Sequence, residues 1–545
     1  MNKKRIIIIG GMVGILAVGG YLLVGQQQAS QESAIQQAMQ EGLFFEDFTT
    51  EVKDLTYTKG DLPKEHVFEK GKMSPLIGSA LVDLDGNGVD EVFIGGGYNQ
   101  NDTWYEYRDG KMVDITQKLR WQKNEAATYG TAIVDYDNDQ DGDIFVARVD
   151  GIYYYENKNG TEFSAGEKIE AFLEEGSIPT GIALGDLNND GQVDMFVSTY
   201  LRHDRIEGTT IFNKEAHGTI SRLLLGKGSL VFEDITEDSS LLYRHNTFAG
   251  TFSDLDNDND LDLVVAYDTG SARIYENQGN LKFSLVKGTS WENKYGYPMG
   301  IGIGDINDDG LQDIFFSNTG NSSPDFLLRG DLRKDQELLK DWKLYQNKGS
   351  MEFVDETKKM QLKEHEFAWG GVITDIDKNG KEDLIVSENY IKIPQHRIKP
   401  LPGRVFFQDS KGDFIPQEGA LKIENPHFSL SSLVFDWNQD SVQDILWVNI
   451  SGASELRMSS ISNNRATDTI IVPYETRFLG SRWQVTWEDG ATLSWHYTPT
   501  EGLGSTQSNV WSFLSRSSKP KMIRVELIGG SQEDGMKWYQ AGENR

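Results

Sequence analysis

One nine-residue acidic pattern, Asp-x-Asp/Asn-x-Asp/Asn-x-x-x-Asp/Glu, occurs seven times in this chain: DLDGNGVDE, DYDNDQDGD, DLNNDGQVD, DLDNDNDLD, DINDDGLQD, DIDKNGKED and DWNQDSVQD. The copies begin at Asp83, Asp135, Asp186, Asp254, Asp305, Asp375 and Asp436. Starts about 50 to 70 residues apart are spaced like single supersecondary units, so the chain is built by repetition. Repetition also explains how 545 residues fold when one ordinary core could not hold them.

The spacing has a chemical reading. Calcium takes six to eight hard oxygens, and a tightly coiled loop points alternate side chains at one centre. Positions 1, 3, 5 and 9 supply them: Asp83, Asp85, Asn87 and Glu91; Asp135, Asp137, Asp139 and Asp143; Asp186, Asn188, Asp190 and Asp194; Asp254, Asp256, Asp258 and Asp262. The last three loops offer Asp305, Asn307, Asp309 and Asp313; Asp375, Asp377, Asn379 and Asp383; and Asp436, Asn438, Asp440 and Asp444. Up to seven calcium ions are expected. Position 7 can add a backbone carbonyl, and a glycine at position 6 permits the wrapping turn, as at Gly88, Gly191, Gly310 and Gly380. Asn259 tolerates that left-handed turn, whereas Gln140 and Ser441 fit it less comfortably, so those two sites are expected to be distorted or weaker. Polar turns without metal would leave converging carboxylates to repel one another and raise their pKa values. An EF-hand would need a Glu at position 12 and flanking helices. Here the flanks are VFIGG, IFVAR, MFVST, LVVAY, IFFSN, LIVSE and ILWVN, which read as strands.

Each repeat parses as strand A before the loop, strand B after it, and a C–D hairpin farther on, as in IYYYENKNGTEF, RLLLGKGSLVFED, ARIYENQGNLKF, KLYQNKGSMEFVDE and RVFFQDSKGDF. Four antiparallel strands per repeat describe a propeller blade, and seven blades close a ring with few exposed edges. The seventh repeat lacks a clear fourth strand. Residues 43–49, LFFEDFT, resemble the D-strand pattern VFEDIT at 231–236 and are expected to supply it. The expected fold is therefore all-β: a seven-bladed β-propeller with calcium loops over 43–460, an N-terminal transmembrane helix, and a small C-terminal β domain over 467–545.

Residues 6–25 are uncharged and mostly apolar behind Lys3, Lys4 and Arg5, which is long enough to span a bilayer. The stretch after them offers a poor cleavage site, which favours an uncleaved signal-anchor followed by a linker over 26–42. The basic flank places the rest outside the cytoplasm, at the cell membrane, or secreted if the segment is cleaved. The absence of cysteine excludes disulfides, thiolate zinc sites and a lipoprotein-type anchor. A net charge of −31 argues against a nucleic-acid partner and for metal cations as counter-charge.

These residues resemble the FG-GAP or VCBS repeat family, found in integrin α subunits and many bacterial surface proteins. The resemblance implies calcium in the A–B loops on one face of the ring, and, by analogy of fold, adhesion or partner binding. The tail GSRWQVTWEDGATLSWHYTPTEGLGSTQSNVWSFL resembles the ASPIC/UnbV module that follows such propellers in the cartilage-acidic-protein family, with Gly480, Val485, Gly490, Gln507 and Ser508 in its pattern. Phe513-Leu514-Ser515-Arg516 and ELIGG depart from it.

With the calcium loops on one face, the B–C connections lie on the other, by strand alternation. The long insertions 200–218, 318–341 and 388–403 map there, and loops on a rigid ring commonly carry function. Just before the A strands lie His245, Tyr297, His365, Glu366, Trp369 and His427, a candidate ligand face around the mouth. Aromatic and His residues at strand starts also serve as filling between blades. No nucleophile elbow, P-loop, HExxH or dinucleotide fingerprint accompanies them. A membrane-tethered recognition or adhesion module for a protein or glycan ligand is therefore preferred over an extracytoplasmic, for example carbohydrate-active, enzyme.

Overall fold

The computed structural model describes residues 48–54, 76–202, 218–322, 325–329, 332–388, 401, 403–409, 411–416, 425, 427–440, 442–451, 453–461, 467–514, 520–534 and 539–540. The chain divides into Met1–Phe48 and one compact unit, Thr49–Arg545. The expected membrane span 6–25 lies outside the described residues. Among the described residues no helix is long and apolar enough to cross a membrane.

The unit is all-β apart from short helical turns such as Asp325–Leu328. Seven sheets follow one another along the chain, each starting with a strand that leads into an acidic loop: Ser79–Val82, Thr128–Val134, Ser177–Gly185, Thr247–Ser253, Ile301–Gly304, Ala368–Thr374 and Phe428–Phe435. In each, that A strand pairs antiparallel with the B strand after the loop and B pairs with C. A D strand completes the first six. In the seventh, Phe48–Asp54 lies beside Glu455–Ile461 as the fourth strand. It overlaps the 43–49 read from sequence at Phe48 and Thr49, and 43–47 lie outside the described residues. None of these sheets closes into a barrel.

The A strands contact one another in cyclic order, the seventh returning to the first. This is a propeller-like arrangement, and it accounts for the sequence pattern. A and B strands are covered on both faces by neighbouring sheets, so Asp143–Arg148 and Asp262–Tyr267 are buried at every position. D strands at the rim alternate instead, with Phe232 and Phe353 inward and Glu233 and Val354 outward. The hairpin read at IYYYENKNGTEF forms, with Lys158 N–H donating to Glu162 O, Ser164 N–H to Glu156 O and a bridge between Asn157 and Phe163, and the fourth strand of the second sheet, Glu167–Ile169, follows it. Phe163 stacks on Trp104 of the first sheet at 5.0 Å.

Residues 467–540 form two more sheets. Arg482–Trp487 lies between Thr492–His496 and Pro520–Glu526, with Gln532–Asp534 at the edge. Thr467–Ile471 lies between Val510–Leu514 and Tyr539–Gln540. Trp483, Val485, Ile523 and Val525 share a core cluster with Ile182, Leu184 and Val197 of the third repeat, so the C-terminal segment packs directly on the sheets.

Candidate metal loops

All seven acidic patterns sit between A and B strands. In each, the position-1 carboxylate accepts backbone N–H groups from farther round its own loop at 2.7–3.1 Å: Asp186, for example, takes those of Asp190 and Gly191. Position 9 closes the other end. One oxygen accepts the N–H of position 2, as Asp313 does from Ile306 at 3.1 Å. In the second to seventh loops the other oxygen accepts an N–H from the end of strand C, at 2.7–2.8 Å. These bonds coil the loop before any ion enters, so the oxygens are preorganised.

Backbone conformation completes the coil. Position 6 is left-handed at Gly88, Gln140, Gly191, Asn259, Gly310 and Gly380, with φ between 70° and 86°. Gln140 thus adopts the same turn as glycine, at φ 81°; Ser441 lies outside the described residues. Position 4 is also left-handed in every loop, at Gly86, Asn138, Asn189, Asn257, Asp308, Lys378 and Gln439. The sequence reading missed this second reversal, although Gly, Asn or Asp at position 4 in five of seven loops was the signal for it.

In four loops three carboxylates bring oxygens within 4.8 Å of one another and could hold a metal ion: Asp83, Asp85 and Glu91; Asp135, Asp137 and Asp143; Asp254, Asp256 and Asp262; Asp375, Asp377 and Asp383. The other three loops carry an amide at position 3. There Asn188, Asn307 and Asn438 donate to Asp190, Asp309 and Asp440 at 2.9–3.0 Å. Burial raises the position-9 groups: Glu91 to about 9, Asp143 and Asp313 to about 8, and Asp194 to about 7. Burial, then repulsion from Asp258 and Asp256 against opposing amide hydrogen bonds, raises Asp254 to about 7. All-oxygen donors, converging negative charge and a preformed coil fit a hard divalent cation such as calcium.

The loops also join neighbouring sheets. Asn157 Nδ2 donates to Leu84 O at 3.2 Å, Asn347 Nδ2 to Leu255 O at 2.6 Å, and Gln408 Nε2 to Ile306 O at 2.9 Å. Each bond runs from one sheet to the acidic loop of the preceding one. Between the seventh and first repeats the link runs the other way and joins loop to loop, Trp437 Nε1 of the seventh acidic loop donating to Asp90 O of the first at 3.1 Å. The C-terminal segment caps several loops. Tyr474 accepts the Asp83 and Asp135 N–H groups at its hydroxyl and carbonyl, Gly529 donates to Asn259 O, and Lys378 Nζ donates to Ser512 O.

The six residues read from sequence as a possible ligand face each lie against different neighbours. Trp369 is buried at the edge of Phe248, and the buried Tyr297 donates its hydroxyl to Leu328 O at 3.0 Å. His365 stacks on Trp342 at 4.7 Å, and burial pushes its pKa down to about 4. Glu366 accepts from Ser322 Oγ, His245 lies against Tyr243 and Tyr267, and His427 pairs with Glu455 at 3.0 Å. Insertion residues 203–217, 323–324, 330–331, 389–400 and 402 lie outside the described set.

Comparison with known proteins agrees at the level of the repeat. The FG-GAP-like repeat family matches residues 135–197 and 254–316, each running from an acidic loop through the next. The chain thus carries FG-GAP-like repeats at two places, and no curated protein matches it. Solved structures similar to it include an Agrocybe aegerita lectin described as recognising non-reducing terminal N-acetylglucosamine, at 15% identity over 77% of this chain and 94% of that one, with a TM-score of 0.36. BBS1N in complex with ARL6DN is similar at 10% identity over 76% and 99%, TM-score 0.42. The V. cholerae biofilm matrix protein Bap1 is similar at 10% identity over 91% and 64%, TM-score 0.34.

Proposed function

We propose that this chain is a seven-bladed β-propeller of the FG-GAP/VCBS type, tethered to the membrane by residues 6–25 and exposed outside the cytoplasm, which binds calcium and serves as a recognition or protein-interaction module. The observation that carries the reading is the shared coil of the acidic loops, whose carboxylates converge on one point in four copies. Positions 1, 3, 5 and 9 of each loop would hold the ion. Bound calcium supplies the positive charge that lets buried carboxylates stay ionised. The cyclic contacts of the A strands support seven blades, and the GSRWQVTWEDG stretch supports an ASPIC/UnbV-like module at 467–545. A protein or glycan ligand, with adhesion as one outcome, belongs on the B–C side, where the repeats differ.

The test is metal analysis of the full chain purified in mild detergent without added chelator. Calcium at several ions per chain, rising toward seven on titration, is the expected result. Absence of calcium, with no uptake at about 1 mM, where weak extracellular modules bind, would refute the reading.

A further inference from the structure

The axis of the cycle of A strands is filled by the chain itself. Residues 500–507, TEGLGSTQ, leave the C-terminal sheets and run among the innermost strands. Ser505 and Thr506 pair in parallel with Ser79 and Ala80 of the first sheet. Thr506 Oγ1 donates to Thr131 O of the second at 3.0 Å, and Thr251 Oγ1 of the fourth donates to Thr500 O at 2.9 Å. Gly502 and Ile301 of the fifth exchange both backbone bonds, at 3.0 and 2.7 Å. Gln507 Nε2 donates to Ser432 O of the seventh at 3.0 Å. Ala249 and Gly250 of the fourth sheet, and Gly181 and Ile182 of the third, line the same narrow space as Glu501 and Gly502.

The fit is close enough to demand small residues. A Cβ on Gly504, which is left-handed at φ 66°, would lie 2.2 Å from Tyr129 O, and one on Gly370 of the sixth sheet 3.0 Å from Gly502. Between the two glycines of the segment, Leu503 is 2% exposed and shares a core cluster with Tyr129, Ile178, Phe248, Met299, Trp369 and Leu430. Register shifts recur in the A strands at Tyr129, Phe248, Trp369 and Leu430, and such bulges re-aim side chains.

We propose that the axis is a peptide-binding channel, taking a tight hairpin with glycines at its turn by backbone and hydroxyl hydrogen bonds, and that its ligand is this chain's own 500–507 segment, in which Thr500–Glu501 pairs back on Ser505–Thr506, and which holds the innermost strands together. The cycle then has two closures, the pairing of Phe48–Asp54 with Glu455–Ile461 at its edge and this segment at its centre, and the axis is shut to any other ligand.

The test is hydrogen exchange on the calcium-loaded full chain carrying Gly504→Val, with Gly490→Val, likewise left-handed at φ 84° but with nothing within 4 Å of its Cβ, as the control for backbone strain alone. Losing the segment's bonds is expected to speed exchange about tenfold in Ser79–Val82, Thr247–Ser253, Ile301–Gly304 and Phe428–Phe435 together, though these lie in four different sheets. The sheet Arg482–Trp487/Pro520–Glu526 should stay within about twofold. Should Gly504→Val fail to fold, Leu503→Ala keeps every backbone bond and should show the same pattern more weakly. Faster exchange confined to residues 467–540, or to Ser79–Val82 alone, would overturn the proposal.

Discussion

On the A–B side of the sheets, seven connections are built alike: a position-1 carboxylate gathering loop amides, a position-9 carboxylate tied to position 2, and left-handed turns at position 4. On the B–C side the connections differ. The second repeat passes from Arg148 to Gly151 almost directly, whereas the third runs from Leu201 to Arg222 and the fifth from Phe316 to Lys343 with a turn of helix between. Loops built alike, knitted to neighbouring sheets and several of them capped by the C-terminal segment, serve the frame. Dissimilar loops on a fixed frame are where the proposed ligand would be distinguished. The acidic motif is the most conspicuous feature of the sequence, yet this contrast makes it architecture.

The largest effect that would break the contrast concerns pH and metal together. Glu91, Asp143, Asp313 and Asp194 have folded pKa values of about 9, 8, 8 and 7, above their unfolded values. A raised carboxyl pKa contributes stability that is present below the unfolded value and lost as pH rises through the folded one. The chelated protein should therefore lose melting temperature steadily between about pH 5 and pH 9, and calcium should flatten the profile. A calcium-independent profile would remove the metal from the account.

Single loops sharpen it further. Asp313→Ala strips the acceptor from the Ile306 and Asn347 N–H groups and should cost about 2–4 kcal/mol in denaturant unfolding. Asn347→Ala, which spares the proposed ligands but removes the bonds to Leu255 O and Gln312 O, should cost about 1–2 kcal/mol. A cost near zero there would mean that the loops do not couple sheets. On the other side, His427→Ala removes a partly exposed imidazole while leaving the mostly buried Glu455 paired with Arg457, and should change stability by no more than about 1 kcal/mol.

The frame was legible because its signal is local. Ligand spacing, flanking apolar strands and turn residues all lie within a few positions, so the seven loops and their A and B strands could be placed from sequence. Position 4 is equally local, but its left-handed turn is carried by Asn, Asp, Lys and Gln in six of the seven loops, so no column of glycines marks it. The hairpin closed by Phe163 was local too, whereas the stacking of its ring on Trp104 is a contact between sheets that no local pattern announces. The axial segment was beyond local reading: TEGLGSTQ looks like an ordinary turn, and its partners Ser79, Thr131, Thr251, Ile301 and Ser432 are scattered across the chain. The candidate ligand face was legible as a position shared across the repeats, just before the A strands. In three dimensions His365 answers to Trp342 and His427 to Glu455.

The most direct measurement is hydrogen exchange of the full chain in calcium against chelator, resolved by peptide. The account predicts that calcium protects the seven A–B loops and the strand ends bonded to them, such as Asn157, Asn277 and Asn347, while the B–C connections exchange alike in both conditions. Equal exchange of the A–B loops with and without calcium, or protection appearing first in the B–C connections, would contradict it.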